Sequence, residues 1–278
     1  MAAQPPRPTH WSVPTPTAAI AVIGGSGLYS LFDADAAERR EVSTPYGVVA
    51  LTFGELNGRT VAFLPRHGTD HSVAPHLINY RANVWALASV GVKAILSSAA
   101  VGGVHPDYPV GSLVILDQYL DRTHGRADTF FDRGSVQHLA SADPFCPALN
   151  SLAAKRLGGE AIAGGTVVVI QGPRFSTRAE SHWFRAAGGH VVNMTLYPEL
   201  PLAAELNIGT VTLAYVTDND AAPSEELSAA TVFARLKAAQ PRIIESIRAI
   251  IATIPADYAA RTLIDPAEVA AVLARTAP

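Results

Sequence analysis

The chain has 278 residues, of which 49% are hydrophobic and 16% charged, and its formal net charge is −3. This composition predicts one large globular domain with a sizeable core, and the slight acidity argues against a general nucleic-acid binder. The only cysteine, Cys146, excludes a disulfide within the chain and fits a reducing cytoplasm. No apolar run is long enough to span a membrane. Residues 1–17, rich in proline and threonine, are predicted to form a disordered tail.

A glycine-rich loop, G-G-S-G, closes the first predicted strand, which runs from Ala18 to Gly24. Glycines allow the backbone to approach an anion closely, and successive amides can then face it. A dinucleotide-binding motif would need another glycine where the chain has Ser30. The loop therefore favours a phosphate or nucleoside site with Ser26 as a hydroxyl donor, and a simple tight turn is the alternative.

A predicted hairpin with its turn at residues 57–58 leads into a polar segment, P-R-H-G-T-D-H, directly after its second strand. Arg66 and His67 in this segment both donate hydrogen bonds to negative oxygens, so the segment suits an oxyanion. The three histidines between residues 67 and 76 lack the Cys or carboxylate partners of a recognisable metal site, so no metal is expected. The other two histidines are interpreted as surface or structural side chains.

A run of small residues, S-S-A-A-V-G-G, follows a helix predicted over residues 79–91 and a strand over residues 92–96. Small side chains after a strand allow backbone amides to face a ligand. Close packing of small side chains is the alternative explanation.

A long segment without helix or strand periodicity, residues 121–147, follows a strand predicted over residues 112–119. Structureless segments of this length are uncommon in compact domains unless they have a task. Because this one contains three phenylalanines, it is predicted to expose apolar surface, and so to cover a site or contact a neighbouring subunit.

The stretch over residues 166–199 is predicted to organise the site. Its first strand, T-V-V-V-I, stops at a Gly-Pro pair, and the helix that follows has a capping box formed by Thr177 and Glu180. A short second strand ends at Asn193. Ligands of open α/β sheets bind beyond the carboxyl ends of such strands, so both loops should border one site. These loops offer Arg174, Phe175, Ser176, Met194 and Thr195.

Two carboxylates, Asp218 and Asp220, follow the last predicted strand, residues 209–216, in the run T-D-N-D. If the strand geometry continues, both side chains lie on one face, because strand side chains alternate. Capping of the following helix is the alternative.

The order of elements predicts the fold class. Helices are predicted over residues 224–239, over residues 241–254 with a core-facing isoleucine stripe, and after a cap at Asp265. Strands that alternate with helices indicate an α/β protein. Without an internal repeat or linker, residues 18–278 are expected to form a single domain with a central mixed β-sheet flanked by helices.

Six motifs occur along the chain in the order V-I-G-G-S-G-L, L-P-R-H-G, S-A-A-V-G-G, Q-G-P-R-F-S-T-R-A-E, N-M-T-x-x-P-E and T-D-N-D. In this order they resemble the trimeric purine nucleoside phosphorylase family, and within it most resemble the 5′-methylthioadenosine phosphorylase branch. The resemblance covers residues 18–255. It implies a nucleoside phosphorylase-like α/β fold, a homotrimer, and the phosphorolysis of methylthioadenosine to adenine and 5-methylthioribose-1-phosphate.

The resemblance also implies roles for individual residues. A phosphate cradle is implied for Ser26, Arg66, His67, the backbone at Ala99 and Ala100, and Thr195. Substrate contacts are implied for Phe175 against the purine, Met194 below the ribose, Asp218 and Asp220 on the base, and Ser176. His138 resembles a residue that reaches the 5′ end of the sugar in the adjacent subunit. The chain departs from the family where Ser26 and Ala99 replace a frequent threonine, and where alanines replace aromatic residues after Asp220.

The expected chemistry explains these residue types. Cleavage of an N-glycosidic bond builds positive charge on the sugar and negative charge on the purine. A phosphate dianion stabilises that cation and attacks the anomeric carbon, which suits Arg66, hydroxyls and backbone amides. A carboxylic acid in a dry pocket has a raised pKa and can protonate purine N7, and Asp220 is assigned this role. Asp218 would accept a hydrogen bond from the exocyclic amine of adenine.

The Asp pair therefore favours 6-aminopurines, since an Asn would suit a 6-oxopurine better. A phosphorylase for inosine, guanosine or methylthioinosine is the alternative, and a non-catalytic nucleotide-binding module is a third possibility. Inorganic phosphate is expected as co-substrate, with no cofactor, no nucleic acid and no membrane as partners.

Overall fold

The computed structural model describes residues 17–219 and 228–276. The predicted tail, except Thr17, lies outside these residues, and so does Asp220. Within them one mixed β-sheet contains eleven strands. The strands are β1 (Ile20–Gly24), β2 (Glu38–Thr44), β3 (Gly47–Leu56), β4 (Arg59–Pro65), β5 (Ala94–Gly103), β6 (Leu113–Ile115), β7 (Gln118–Arg122), β8 (Ile162–Ala163), β9 (Thr166–Ile170), β10 (Val191–Asn193) and β11 (Gly209–Asn219). The α-helices are α1 (Tyr80–Ser89), α2 (Pro147–Leu157), α3 (Arg178–Ala186), α4 (Leu196–Glu205), α5 (Ala229–Thr253) and α6 (Pro266–Leu273).

Strand β5 is the centre of the sheet. It pairs in parallel with β11 along its whole length, and on its other side its first residues pair in parallel with β1, as far as Ser97. Its last two residues pair antiparallel with β10 on that same side. Residues 98–101 therefore have no strand neighbour there among the described strands, and the sheet opens at this point.

The core lies on both faces of the sheet. Alternate residues of β1 point to opposite faces, so Ala21 and Ile23 pack with α1, α4 and α6, while Ile20 and Val22 pack with α2 and α5. The isoleucine stripe of α5 is buried in the second of these clusters, which confirms its predicted packing role. None of the described helices combines the length and the apolar character needed to cross a bilayer.

The single-domain α/β fold with a mixed sheet is confirmed, as are the elements with local signals. The hairpin turns at residues 57–58, and the capping box closes α3, because the Thr177 hydroxyl accepts from the Glu180 amide and the Glu180 carboxylate accepts from the Thr177 amide. Asp265 accepts from the Ala267 amide and caps α6.

Several predicted elements have different bounds in the structure. Strand β5 continues to Gly103 instead of ending at Leu96, because its small residues pair with β11 throughout. The strand predicted over residues 112–119 is divided into β6 and β7. The two helices predicted after residue 224 form one helix, α5, through Pro241, since its apolar stripe packs continuously on the sheet.

The segment between β7 and α2 has neither helix nor strand, as predicted. The prediction that its phenylalanines expose apolar surface is wrong. Phe130, Phe131 and Phe145 are all buried within their own chain. The segment folds back onto α4, where the Glu205 carboxylate accepts hydrogen bonds from the Phe130 amide at 2.7 Å and the Thr129 hydroxyl at 2.6 Å. The sequence could not show that the core had room for three more aromatic rings.

Candidate active site

A cavity of about 230 Å³ lies at the opening in the sheet. Nine of the residues predicted for the site line it: Ser26, Arg66, His67, Ala100, Phe175, Ser176, Met194, Thr195 and Asp218. Ala99 is buried and does not line it, and His138 is exposed on the irregular segment. Asp220 lies outside the described residues. The structure therefore brings together residues from loops that are far apart in the chain.

Arg66, at the end of β4, is fixed by a buried ion pair. Its Nε donates to Glu199 Oε2 at 2.6 Å and its Nη2 donates to Oε1 at 2.7 Å. Its Nη1 donates to the Ser98 carbonyl at 2.9 Å. Burial by itself lowers the pKa of Arg66, but the Glu199 carboxylate raises it above its usual value. The guanidinium is therefore charged, and it has further N–H groups on both terminal nitrogens for a ligand in the cavity.

His67 enters the cavity as a neutral ring. Its Nδ1 lies 2.9 Å from the Val73 carbonyl and therefore carries the proton, so Nε2 is left for a ligand. Burial lowers the pKa of His67 to about 4, against the opposing effect of the Val73 hydrogen bond. At pH 7 the ring is therefore uncharged, and Nε2 carries a lone pair that accepts a hydrogen bond, for example from the hydroxyl of a monohydrogen phosphate, so the predicted donation from His67 to a negative oxygen is wrong.

His71 is a cavity residue that the sequence interpretation assigned to the surface or the scaffold. Its ring packs against His67 and Phe233, with centroids 4.5 and 5.0 Å apart. Its Nδ1 is buried, with no hydrogen-bond partner in the described part of the chain. The inward turn follows from a left-handed backbone, φ 58°, which is uncommon for a residue other than glycine and had no signal in the sequence. The described residues contain no cluster of His, Cys, Asp or Glu that could hold a metal.

The glycine-rich loop approaches β5 as closely as predicted. The Gly25 amide donates to Ser98 Oγ at 2.9 Å, and a Cβ on Gly25 would lie only 2.5 Å from the Ser98 carbonyl oxygen. On the same open edge, the Ala100 carbonyl accepts from Asn193 Nδ2 at 3.0 Å. Because backbone groups alternate sides along a strand, the Ala100 amide faces the opening and the Ala99 amide faces β11.

Asn193 joins the end of β10 to the start of α4. Its Oδ1 accepts from the Thr195 amide at 2.7 Å and the Leu196 amide at 2.9 Å. The Thr195 hydroxyl lies 3.3 Å from the same oxygen, a weak contact that leaves it able to turn toward a ligand. Asn193 thus holds Thr195 at the cavity wall, a role that the sequence analysis did not assign to it.

Met194 is held by an arginine from the irregular segment. Arg126 Nη2 donates to the carbonyls of Met194 and Gln171, each at 2.9 Å, and Nη1 donates to the Tyr197 carbonyl. Arg126 therefore ties the loop after β9 to the loop after β10. These contacts also keep the Met194 side chain against Gly172, where a Cβ would lie 2.7 Å from Met194 Sδ.

We expect Arg126→Met to lower kcat/KM for the nucleoside that the resemblance implies as substrate by about 10–100-fold, because small displacements of substrate-positioning groups have effects of this size. Steady-state kinetics with the variant checks this. Arg242→Met is the matched control, since Arg242 also donates to two carbonyls, those of Gly111 and Glu160, away from the cavity. An equal loss in both variants would contradict a positioning role for Arg126.

The three residues predicted in the loop after β9 have different positions relative to the cavity. Phe175 lies at the cavity mouth with 38% of its surface exposed. Ser176 Oγ is buried and has no hydrogen-bond partner among the described residues, so it is available to a ligand. Arg174 pairs with Glu180 at 2.6 Å and does not line the cavity.

A β-bulge places Asp218 in the cavity wall. The register of β11 against β5 shifts between Val216 and Asp218, and bulges commonly redirect side chains beside active sites. The Thr217 hydroxyl, in the bulge, lies 2.6 Å from Asp218 Oδ1 and 3.2 Å from the Val101 carbonyl. Asp218 is therefore buried and oriented.

One wall of the cavity is apolar and comes from the first turns of α5. Ala229, Val232 and Phe233 line it with the i, i+3, i+4 spacing of one helix face. This helix is predicted from the sequence, but none of its residues is among those predicted for the site. The available signal was this apolar spacing shortly after the T-D-N-D run.

The family assignment follows from a match over most of the chain. A family model described as the phosphorylase superfamily matches residues 19–252, which include every described lining residue. The chain belongs to the phosphorylase superfamily.

Two curated relatives of this phosphorylase-superfamily chain have different names. The S-methyl-5'-thioadenosine phosphorylase of Mycolicibacterium smegmatis is 52% identical over 204 residues, covering 73% of this chain and 77% of the relative. The purine nucleoside phosphorylase of Streptomyces coelicolor is 51% identical over 217 residues, with the same two coverages, 73% and 77%. Among solved structures, the methylthioadenosine phosphorylase from Schistosoma mansoni in complex with adenine matches with a TM-score of 0.82 at 31% identity, covering 92% of this chain and 98% of that one.

Proposed function

We propose that this phosphorylase cleaves S-methyl-5′-thioadenosine with inorganic phosphate, giving adenine and 5-methylthioribose-1-phosphate. The observation that carries the proposal is the single cavity in which anion-binding donors, a buried carboxylate and an apolar wall meet. The donors suit phosphate, the carboxylate suits a 6-amino group and the wall of α5 suits a methylthio group. The reaction belongs to purine and methionine salvage, and the lone, buried Cys146 fits a cytoplasmic enzyme.

The phosphate subsite consists of Ser26, Arg66, His67, Thr195 and the amide of Ala100, which faces the opening while that of Ala99 does not. Phosphate bound there lies on one side of the sugar and attacks the anomeric carbon as the glycosidic C–N bond breaks. The bonding electrons of the C–N bond go to the purine. Fixed donors align the attacking oxygen and need no reorganisation during the reaction.

The nucleoside subsite accounts for the other cavity residues. Met194 lies below the ribose, and Phe175 packs against the purine. Asp218 accepts from the exocyclic amine, with Ser176 as a further polar contact. Asp220, two residues beyond Asp218 in the chain, donates the proton that neutralises the leaving purine at N7. This role of Asp220 is supported by the T-D-N-D motif.

A second candidate function is phosphorolysis of 6-oxopurine nucleosides. The observation that favours it is the Streptomyces coelicolor relative, which is 51% identical and is named a purine nucleoside phosphorylase. The carboxylate of Asp218 argues for the 6-aminopurine, since it accepts hydrogen bonds but cannot donate one to a 6-oxo group when ionised.

One assay distinguishes these functions. The enzyme is incubated with methylthioadenosine, adenosine, inosine and methylthioinosine, with and without phosphate, and the released base is identified. We expect adenine from methylthioadenosine only when phosphate is present. Faster release of hypoxanthine would support the 6-oxopurine function, and base release independent of phosphate would contradict phosphorolysis.

We propose further that the active unit is a homotrimer in which His138 acts at the 5′ end of a neighbouring subunit's sugar. The burial of the three phenylalanines removes the apolar-surface argument for this assembly. Its support is the position of His138, which is exposed and outside its own cavity, beside Val136, whose surface is 73% exposed. Because His138 does not line the cavity of its own chain, a role at the sugar requires the cavity of another copy.

We expect His138→Ala to narrow the preference for methylthioadenosine over adenosine and to leave the KM for phosphate unchanged. The preference itself should be modest, since one methyl-sized contact contributes only ~1–3 kcal/mol. The ratio of kcat/KM values for the two nucleosides measures the effect, and sedimentation equilibrium measures the oligomer. A fully active monomer, or an unchanged ratio, would refute the part of the proposal that it tests.

A further inference from the structure

We propose that Glu199 is a positioning residue that makes the phosphate subsite electrically neutral, so that the bound phosphate keeps its negative charge for the sugar cation. The inference rests on the proposed function, because it takes inorganic phosphate to be the anion of this cavity. It adds a residue that does not itself contact the substrate.

The geometry separates Glu199 from the cavity and joins it to Arg66. Its carboxylate uses one oxygen for Arg66 Nε and the other for Nη2. The side chains of Arg66 and Glu199 are only 0% and 4% exposed, and Glu199 does not line the cavity. Water therefore cannot replace this carboxylate as partner of the guanidinium. The third bond, from Nη1 to the Ser98 carbonyl, fixes the guanidinium plane.

The charges of the described residues around the subsite cancel. Arg66 is the only lysine or arginine among the described residues that line the cavity, and Glu199 compensates it at hydrogen-bond distance. His67 donates a hydrogen bond from Nδ1 to the Val73 carbonyl. Burial lowers the pKa of His67 and the pKa of His71, the other histidine of the cavity, so both rings are neutral at pH 7, while Ser26 and Thr195 are uncharged. Among the described residues that line the cavity, the only carboxylate is that of Asp218, which can add only negative charge. A phosphate dianion thus meets directed N–H and O–H groups without a net positive charge.

This neutrality has a catalytic consequence. A subsite with a net positive charge would bind free phosphate tightly. Its positive charge would also compete with the developing sugar cation for the negative charge of the phosphate. Interactions that are stronger with the ground state than with the transition state do not increase kcat. Neutral, preoriented donors hold the phosphate in place, and the negative charge of the phosphate can still stabilise the sugar cation.

The test is Glu199→Gln, which keeps the shape and one acceptor oxygen but removes the charge. We expect inorganic phosphate to bind roughly tenfold more tightly, because the Arg66 charge is then uncompensated in a low-dielectric site. We expect kcat to fall by roughly tenfold, so that kcat and the KM for phosphate decrease together. Isothermal titration with inorganic phosphate and initial rates at varied phosphate measure these two quantities.

Glu205→Gln is the matched control. Glu205 lies on the same helix, is similarly buried, and accepts hydrogen bonds from Thr129 and Phe130 away from the cavity. This variant should lose thermal stability while its phosphate affinity stays that of the wild type. A tightening of phosphate binding in both variants would overturn the proposal, since it would reflect general loosening of α4.

Two further variants, Arg66→Gln alone and Arg66→Gln combined with Glu199→Gln, test the proposal if the Glu199→Gln single variant does not fold. Arg66→Gln alone leaves Glu199 as an uncompensated anion beside the phosphate, and binding should be lost. Arg66→Gln combined with Glu199→Gln restores neutrality, so phosphate binding should return in part. A double variant that binds phosphate no better than Arg66→Gln would overturn the proposal.

The outcomes also separate this inference from the proposed function. Unchanged or weaker phosphate binding by Glu199→Gln, with normal binding by the wild type, overturns only the role of Glu199. Wild-type enzyme that neither binds phosphate nor shows phosphate-dependent base release overturns the proposed function instead.

Discussion

Asp220→Asn is expected to lower kcat by about 10²–10⁴-fold, the usual contribution of a general acid. Asparagine can still contact the purine but cannot transfer a proton to N7, so the purine must leave as an anion. Nucleoside binding should change far less than kcat. The measurement is steady-state kinetics with methylthioadenosine, together with the dissociation constant of adenine for the variant.

Asp218→Asn is the matched control for this experiment, because it makes the same chemical change two residues earlier in the chain. Asp218 is assigned to recognition, so this variant should change the ratio of 6-amino to 6-oxopurine use more than the rate of the better substrate. Near-normal turnover of methylthioadenosine by Asp220→Asn would refute the acid assignment.

Arg66→Ala is expected to raise the apparent KM for phosphate by at least tenfold, since hydrogen bonds from a charged group contribute about 1.5–3 kcal/mol. It should also destabilise the protein by about 3–5 kcal/mol, because Glu199 would be left buried without its counter-ion. Initial rates at varied phosphate test the first effect, and denaturant unfolding tests the second.

Arg59→Ala provides the comparison for Arg66→Ala. Arg59 donates to the Ile254 carbonyl at 2.5 Å, away from the cavity. Its loss should lower stability without changing phosphate saturation. If folded Arg66→Ala enzyme is saturated by phosphate at the wild-type concentration, Arg66 supports the structure but does not bind the anion.

Local signals in the sequence were sufficient for several elements. The turn at residues 57–58, the capping box of Thr177 and Glu180 and the isoleucine stripe of α5 depend on residues only a few positions apart. Their physical causes, turn geometry, end capping and helical spacing, are therefore visible in the chain itself. The motifs likewise indicated the family and nine of the residues that line the cavity.

Features that depend on contacts between distant elements could not be predicted from local sequence patterns. The irregular segment buries Phe130 because α4 presents Glu205 to its amide. His71 enters the cavity through a left-handed backbone, and the bulge at Thr217 redirects Asp218. Each of these features depends on contacts with distant parts of the chain, and His71 also has a backbone conformation that is uncommon for residues other than glycine.

The sequence by itself determined which chemical groups the site contains: a guanidinium, hydroxyls, imidazoles, carboxylates and backbone freed by glycines. Only the tertiary structure decided how these groups are charged and partnered. Arg66 and Glu199 are 133 positions apart, and they meet because the sheet opens between β1 and β10, where the end of β4, the middle of β5 and the start of α4 converge. Two charged side chains buried at that junction must pair, since neither is stable there without water or a counter-ion. Because the two residues are distant in the chain, neither segment by itself contains a pattern that predicts the pair.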